Sequence, residues 1–189
     1  VVSPRLPQMM RSCAIAAARG EPLQSAVCRS PELTRRIQAT LASGHFDVVH
    51  VEHIRAAHVG DVIPVTVPPV YDSVDCISLL LERTLRFSHS LKQRVIAALE
   101  VSRTRAYEAR LLRRFHRVAV TSPVDAQALS TLEPAAEVTV VPNGVDLSYF
   151  RPMSGTHETG TLVLSGKMAY HANATAALFF ARQVLPLIR

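Results

Sequence analysis

Three small groups of residues in this chain have the types and spacing to do chemistry. Asp72 and Asp75 stand three positions apart just after an apolar run. Carboxylates so placed can orient a hydroxyl group or accept its proton, although aspartate also closes turns and caps helices. His50, Glu52 and His53 close the run from Phe46 to Val51, and in open α/β sheets ligands gather at the carboxyl ends of strands. Gly166-Lys167 follows Leu162-Val163-Leu164 and precedes a helical pattern. A glycine there lets a ligand approach the backbone, a helix N-terminus favours an anion, and a lysine can stabilise a departing diphosphate. The alternative is a solvated lysine beside a turn. His45, His50, His53 and His58 do not make a metal site, because adjacent strand residues face opposite ways. No cysteine or carboxylate set completes a tetrahedron around them, so neither metal nor cofactor is expected.

The elements that must position these groups alternate strand and helix, which implies a parallel sheet. A helix is predicted from Met9 to Arg19, stopped by Gly20 and Pro22. Another starts with Ser30 as N-cap and Pro31 in its first position, with Leu33, Ile37 and Leu41 on one face. The run from Phe46 to Val51 reads as a parallel strand covered on both faces. A second strand spans Val65 to Tyr71, and Pro68 and Pro69 suit an irregular or edge position. Residues 76–116 read as helical with a break at Ser88-His89-Ser90. One face is apolar and the other carries Arg103, Arg105, Arg110, Arg113, Arg114 and Arg117, with Glu108 as its one acid. A strand from Arg117 to Thr121 leads into a helix with Ser122 as N-cap and Pro123 next. Val138 to Val141 fits a buried strand. Pro142 ends it, and Asn143-Gly144 is a turn pair tolerant of positive φ. After the polar segment from Met153 to Gly160, a strand from Thr161 to Ser165 and a helix from Asn173 to Ile188 follow.

The stretch Val138-Thr139-Val140-Val141-Pro142-Asn143-Gly144-Val145-Asp146-Leu147-Ser148-Tyr149-Phe150-Arg151-Pro152 resembles the interdomain crossover of GT-B-fold glycosyltransferases, in particular retaining enzymes of glycosyltransferase family 4. Asn143, Gly144, Val145, Asp146, Phe150 and Pro152 match that signature. "FDVVHVEH" resembles a strand of the family's N-terminal domain, with His53 at the matching histidine. Many members carry a histidine where Asp72 stands; a branch of exopolysaccharide-associated sugar transferases has a D-x-x-D that Asp72 and Asp75 match. The segment from Gly166 to Asn173 resembles the opening of the donor domain in that branch. The resemblance implies that Gly166 and Lys167 contact donor phosphates, and that Asn173 occupies the place of a second cation in related enzymes.

The implied fold is α/β, a Rossmann-like parallel sheet of GT-B architecture in truncated form. Residues 1–148 would be the acceptor-side domain, 149–160 the linker and 161–189 the start of the donor domain. Two such domains need about 150–200 residues each, so a chain of 189 residues that opens on Val1 is expected to be a fragment. The implied activity moves a sugar from a nucleotide-sugar donor to a glycan or lipid-linked acceptor in polysaccharide biosynthesis; the fragment by itself is expected to be inactive. The alternatives are a non-catalytic module that binds an anionic glycan, lipid or nucleic acid, and a GT-B sugar-nucleotide epimerase. The net charge of +6 favours anionic partners. Nucleic acid is not expected; Arg103, Arg110, Arg113 and Arg114 form either a solvated helix face, as runs of charge usually do, or a peripheral contact to an anionic membrane. Three scattered cysteines argue against a disulfide framework and for the cytoplasm, where the basic face would allow a peripheral place at the inner face of the membrane.

Overall fold

The computed structural model describes residues 6–115, 117–151, 155, 159–169 and 171–188. The strand end expected at Val1 to Pro4 and the signature's Pro152 lie outside the described residues. The chain divides into two compact units, Val1–Gly144 and Val145–Arg189.

In the first unit, helix α1 (Leu6–Ala18) ends before Gly20, whose φ of 63° is the left-handed turn that glycine adopts without strain. After the short α2 (Leu23–Val27), α3 (Pro31–Ser43) starts where the sequence places it. Ser30 Oγ accepts the Leu33 N–H at 3.3 Å, and Leu33, Ile37 and Leu41 are its half-buried face. Four strands follow: β1 (Val49–Glu52), β2 (Pro69–Val74), β3 (Arg117–Val120) and β4 (Val138–Val140). All are parallel, and their order in the sheet is their order in the chain. Between them lie α4 (His53–Ala56), which continues into a 3₁₀ turn, the hairpin α5 (Ile77–Phe87) and α6 (Leu91–Arg114), and α7 (Pro123–Leu132). The chain is therefore α/β with a Rossmann-like parallel sheet.

Parallel register puts Val51, Tyr71, Val118 and Val138 in one row across the sheet. That row packs with Ile54, Leu111, Leu112, Phe115 and Leu129 into the core, where the Tyr71 and Phe115 rings lie 5.1 Å apart. The intervening positions behave differently. His50, Glu52, Arg117 and Thr139 are exposed, and Val70, Asp72 and Ala119 are half-buried. The sheet thus buries one face, not two as the apolar run had suggested. Side chains alternate along a strand, so helices stacked on one side leave every second residue uncovered. β1 also begins later than expected, at Val49; Phe46 instead folds its ring against Gly44, where a Cβ would meet it at 2.6 Å.

β2 is the larger correction. It starts at Pro69 and lies inside the sheet between β1 and β3. Proline at the first residue of a strand costs the ladder little, since the chain has only begun to pair there. The strand then runs through Asp72, so this residue belongs to the sheet and not to the loop after it. β4 is half-buried at Val138 and exposed at Val140, as suits an edge strand rather than a buried one.

In the second unit, residues 161–165 form no strand, and Leu162, Val163 and Leu164 are exposed. A strand needs a neighbouring ladder, and residues 161–165 join none among the described residues. α8 (His171–Phe179) widens into a π turn over Phe180–Val184 and tightens into a 3₁₀ turn over Leu185–Leu187. Pro186 explains the change, because it has no N–H and its ring crowds the carbonyl of Arg182. No helix among the described residues is long and apolar enough to cross a membrane.

Candidate functional site

Because the four strands are parallel, their carboxyl ends line one edge, and both early candidate groups arrive there. His50 and Asp72 meet across β1 and β2: Nε2 to Oδ2 is 3.4 Å, on the uncovered face of the sheet. His50 pairs in register with Val70, so Asp72 is its diagonal neighbour. The pair is ionic when His50 is protonated.

The backbone at this edge is strained in two places. His53 and Val74 are the non-glycine residues with positive φ among the described residues, at 68° and 63°. His53 directly follows β1, and Val74 ends β2 beside it. A β-branched residue such as Val74 rarely adopts this conformation, and strain of this kind gathers at functional sites. At Val74 the chain makes a three-residue turn, with the Asp75 N–H donating to the Ser73 carbonyl at 2.7 Å. Asp72 Oδ1 accepts the Val74 N–H at 3.0 Å, and Thr121 donates to the Val74 carbonyl from both its N–H and its hydroxyl. Asp72 thus uses one oxygen to hold the turn and turns the other toward His50. At His53, Nδ1 accepts the Arg55 N–H at 3.3 Å, which leaves the ring proton on Nε2. Burial, then the Arg55 charge, holds His53 below its ordinary 6.5, against the opposing pull of Asp75 and Glu52. It is neutral at pH 7, with an N–H to offer.

Two buried carboxylates fasten the turn from behind. Glu108, from α6, accepts the N–H groups of Ile77 at 2.7 Å and Ser78 at 3.2 Å, and so caps α5 from another helix. Asp125 accepts the Cys76 N–H at 3.0 Å, and it is itself bonded to the Ser122 hydroxyl, the N-cap of α7. Burial pushes Glu108 above its ordinary 4.5, although its bonds to Ser78, Ile77 and Cys76 pull it back. Burial and the Glu108 charge push the Cys76 thiol up to about 11. The donors at the start of α5 are therefore taken by the protein's own acids. The sequence presented Glu108 as the lone acid on a basic face; the structure buries it. Its spacing from Thr104, Leu111 and Leu112, all buried, was the available signal.

The arginines around it are largely partnered. Arg103 pairs with Glu100, Arg105 with Glu82, Arg113 with Glu133, Arg114 with Asp61 and Arg117 with Glu137. Arg110 lies over the Tyr107 ring at 5.5 Å. Asp75 is exposed next to the strained turn.

In the second unit, the Asn173 side-chain N–H donates to the Lys167 carbonyl at 3.2 Å. A Cβ at Gly166 would come within 2.9 Å of the same Asn173 nitrogen. Asn173 ties the loop to α8 through this bond, and Lys167 is exposed. At the crossover, neither Asn143 nor Gly144 has positive φ. The turn comes later, because Asp146 Oδ1 accepts the N–H groups of Ser148 at 2.8 Å and Tyr149 at 3.2 Å. An aspartate side chain that bonds forward organises a turn without any help from glycine.

No family model matches this chain, and neither a curated protein nor a solved structure matches it.

Proposed function

We propose that this chain carries the acceptor-side domain and the crossover of a retaining GT-B glycosyltransferase, similar to the exopolysaccharide-associated sugar transferases. The observation that carries the proposal is where the two units divide. The division after Gly144 falls inside Val141-Pro142-Asn143-Gly144-Val145-Asp146, directly after the last parallel strand. A crossover signature would stand at that place. The carboxyl edge of β1 and β2 adds chemistry suited to a polyhydroxylated acceptor: a carboxylate, Asp72, a neutral imidazole N–H, His53, and a second imidazole, His50.

In this reading Asp72 orients the acceptor hydroxyl and takes up its proton as the glycosidic bond forms, with His50 holding the carboxylate. His53 donates to a sugar hydroxyl or ring oxygen. Lys167, beside Gly166, balances the charge that grows on the nucleotide diphosphate as it leaves. Donor and acceptor are a nucleotide-sugar and a glycan or lipid-linked sugar, met in the cytoplasm.

The test is to assay the full product of the gene with UDP-, GDP- and dTDP-sugars and glycan or lipid-linked acceptors. Proton NMR of the product reads the anomeric configuration. Transfer with retention is expected. Asp72→Asn should lower kcat about 10²-fold or more while leaving the donor KM unchanged. Binding of a glycan with no turnover of any donor would replace this proposal with a non-catalytic binding module. Residues 1–189 alone should transfer nothing, and measurable turnover by them would overturn that expectation.

A further inference from the structure

The hairpin of α5 and α6 projects away from the core at its turn. Buried residues occur in α5 only at Ile77 and Ser78 and in α6 only from Ala97 onward. No residue from 79 to 96 is buried. Large apolar side chains nevertheless gather there. Phe87 is 65% exposed and Leu91, just across the turn, 74%. Leu91, Val95 and Leu99 recur every four residues on α6 and stay 74%, 50% and 64% exposed, and Leu80 and Phe87 stand two turns apart on α5, also exposed. Lone exposed apolar residues are ordinary, but a stripe at helical spacing is a surface meant for contact.

The charges around the tip identify the contact. Arg83, Arg86, Lys92 and Arg94 are exposed and form no ion pair among the described residues. The nearby acids are Glu82 and Glu100, and both are occupied, by Arg105 and Arg103. Arg86 lies over the Phe87 ring at 5.1 Å, so cation and apolar group share one place. A second copy of this chain would bring four unpaired cations against four more. Nucleic acid would satisfy the cations and leave the leucines and Phe87 in water. An anionic lipid surface takes both, with side chains entering the acyl boundary and cations at the headgroups.

We propose that the tip of the α5–α6 hairpin, centred on Phe87, Leu91, Arg86, Lys92 and Arg94, is a peripheral anchor for an anionic membrane. This contact lies at the opposite end of α6 from the ion-paired Arg113 and Arg114. It goes beyond the glycosyltransferase reading and does not depend on it, since vesicle binding involves no sugar transfer.

The chain contains no tryptophan, so Phe87→Trp supplies a single probe of depth. Sedimentation with vesicles of phosphatidylcholine, alone or mixed with phosphatidylserine, measures partition of the whole chain. Preference for the anionic vesicles should exceed about tenfold, fall with salt, and drop about fivefold for each cation changed to glutamine. The indole fluorescence of the Phe87→Trp variant should shift to the blue on anionic vesicles and be quenched by brominated lipid. Adding Leu91→Ser to that variant should reduce the shift. In the parent background, Phe87→Ser with Leu91→Ser should abolish partition while circular dichroism and Tm stay unchanged, because neither side chain is buried. Equal partition onto neutral vesicles would overturn the proposal, as would binding that is indifferent to these substitutions. So would a dimer in sedimentation velocity that Leu91→Ser dissolves.

Discussion

The runs Val49-His50-Val51 and Leu162-Val163-Leu164 are alike as sequence, yet one is a strand and the other is not. The first has β2 beside it in parallel register, and Val51 is 4% exposed. The second has no ladder among the described residues, and Val163 is 88% exposed. β-propensity describes fitness for a pleated, half-buried surface, so it becomes a strand only where such a surface exists. The same difference runs through the two units. The first has a core around Tyr71 and Phe115, whereas none of the described residues from 145 onward is buried.

The contrast can be broken most strongly at Glu108. Glu108→Leu strands the buried N–H groups of Ile77 and Ser78 and should cost the first unit about 3 kcal/mol in urea unfolding. Loss of less than about 1 kcal/mol would mean that α5 needs no cap from α6. Next comes the pair of strands. Val51→Ala should destabilise by about 2 kcal/mol, and Val163→Ala should stay within about 0.5 kcal/mol. Hydrogen exchange sharpens the same point, with protected amides at Val49 to Val51 and rapid exchange at Leu162 to Leu164. Ser122→Ala, which removes the cap of α7, should cost about 1 kcal/mol.

The smallest effect is one of pH. Glu108 has a folded-state pKa above 4.5, so its contribution to stability is full below that value and fades as pH rises through the elevated one. The stability of the parent relative to Glu108→Gln should therefore decline from acid toward neutral pH, as read from urea midpoints. A difference that rises with pH would mean that the bonds from Ile77 and Ser78 outweigh burial.

Much of the frame was legible in residue order. Ser30-Pro31 and Ser122-Pro123 start helices because a hydroxyl and a proline solve the problem of unpaired N–H groups locally. Ser88-His89-Ser90 breaks the long helical region for the same local reason, with Ser90 Oγ accepting from Gln93. The site was legible only in part. His50 and Asp72 could be placed at strand ends, but not at 3.4 Å from each other, since β2 had been ended too early. The residues missed were those whose roles depend on distant chain: Glu108 capping α5 over 31 positions, and Asp125 reaching Cys76 over 49.

By itself, then, the sequence determined the alternation of strand and helix, the helix starts and the basic excess. Each follows from interactions within a few residues. The tertiary structure alone decided which face of the sheet is covered, which strands are central, which acids are buried, and which arginines form no ion pair among the described residues at the hairpin tip. Those outcomes rest on which surfaces come together, and neighbouring residues carry no record of that.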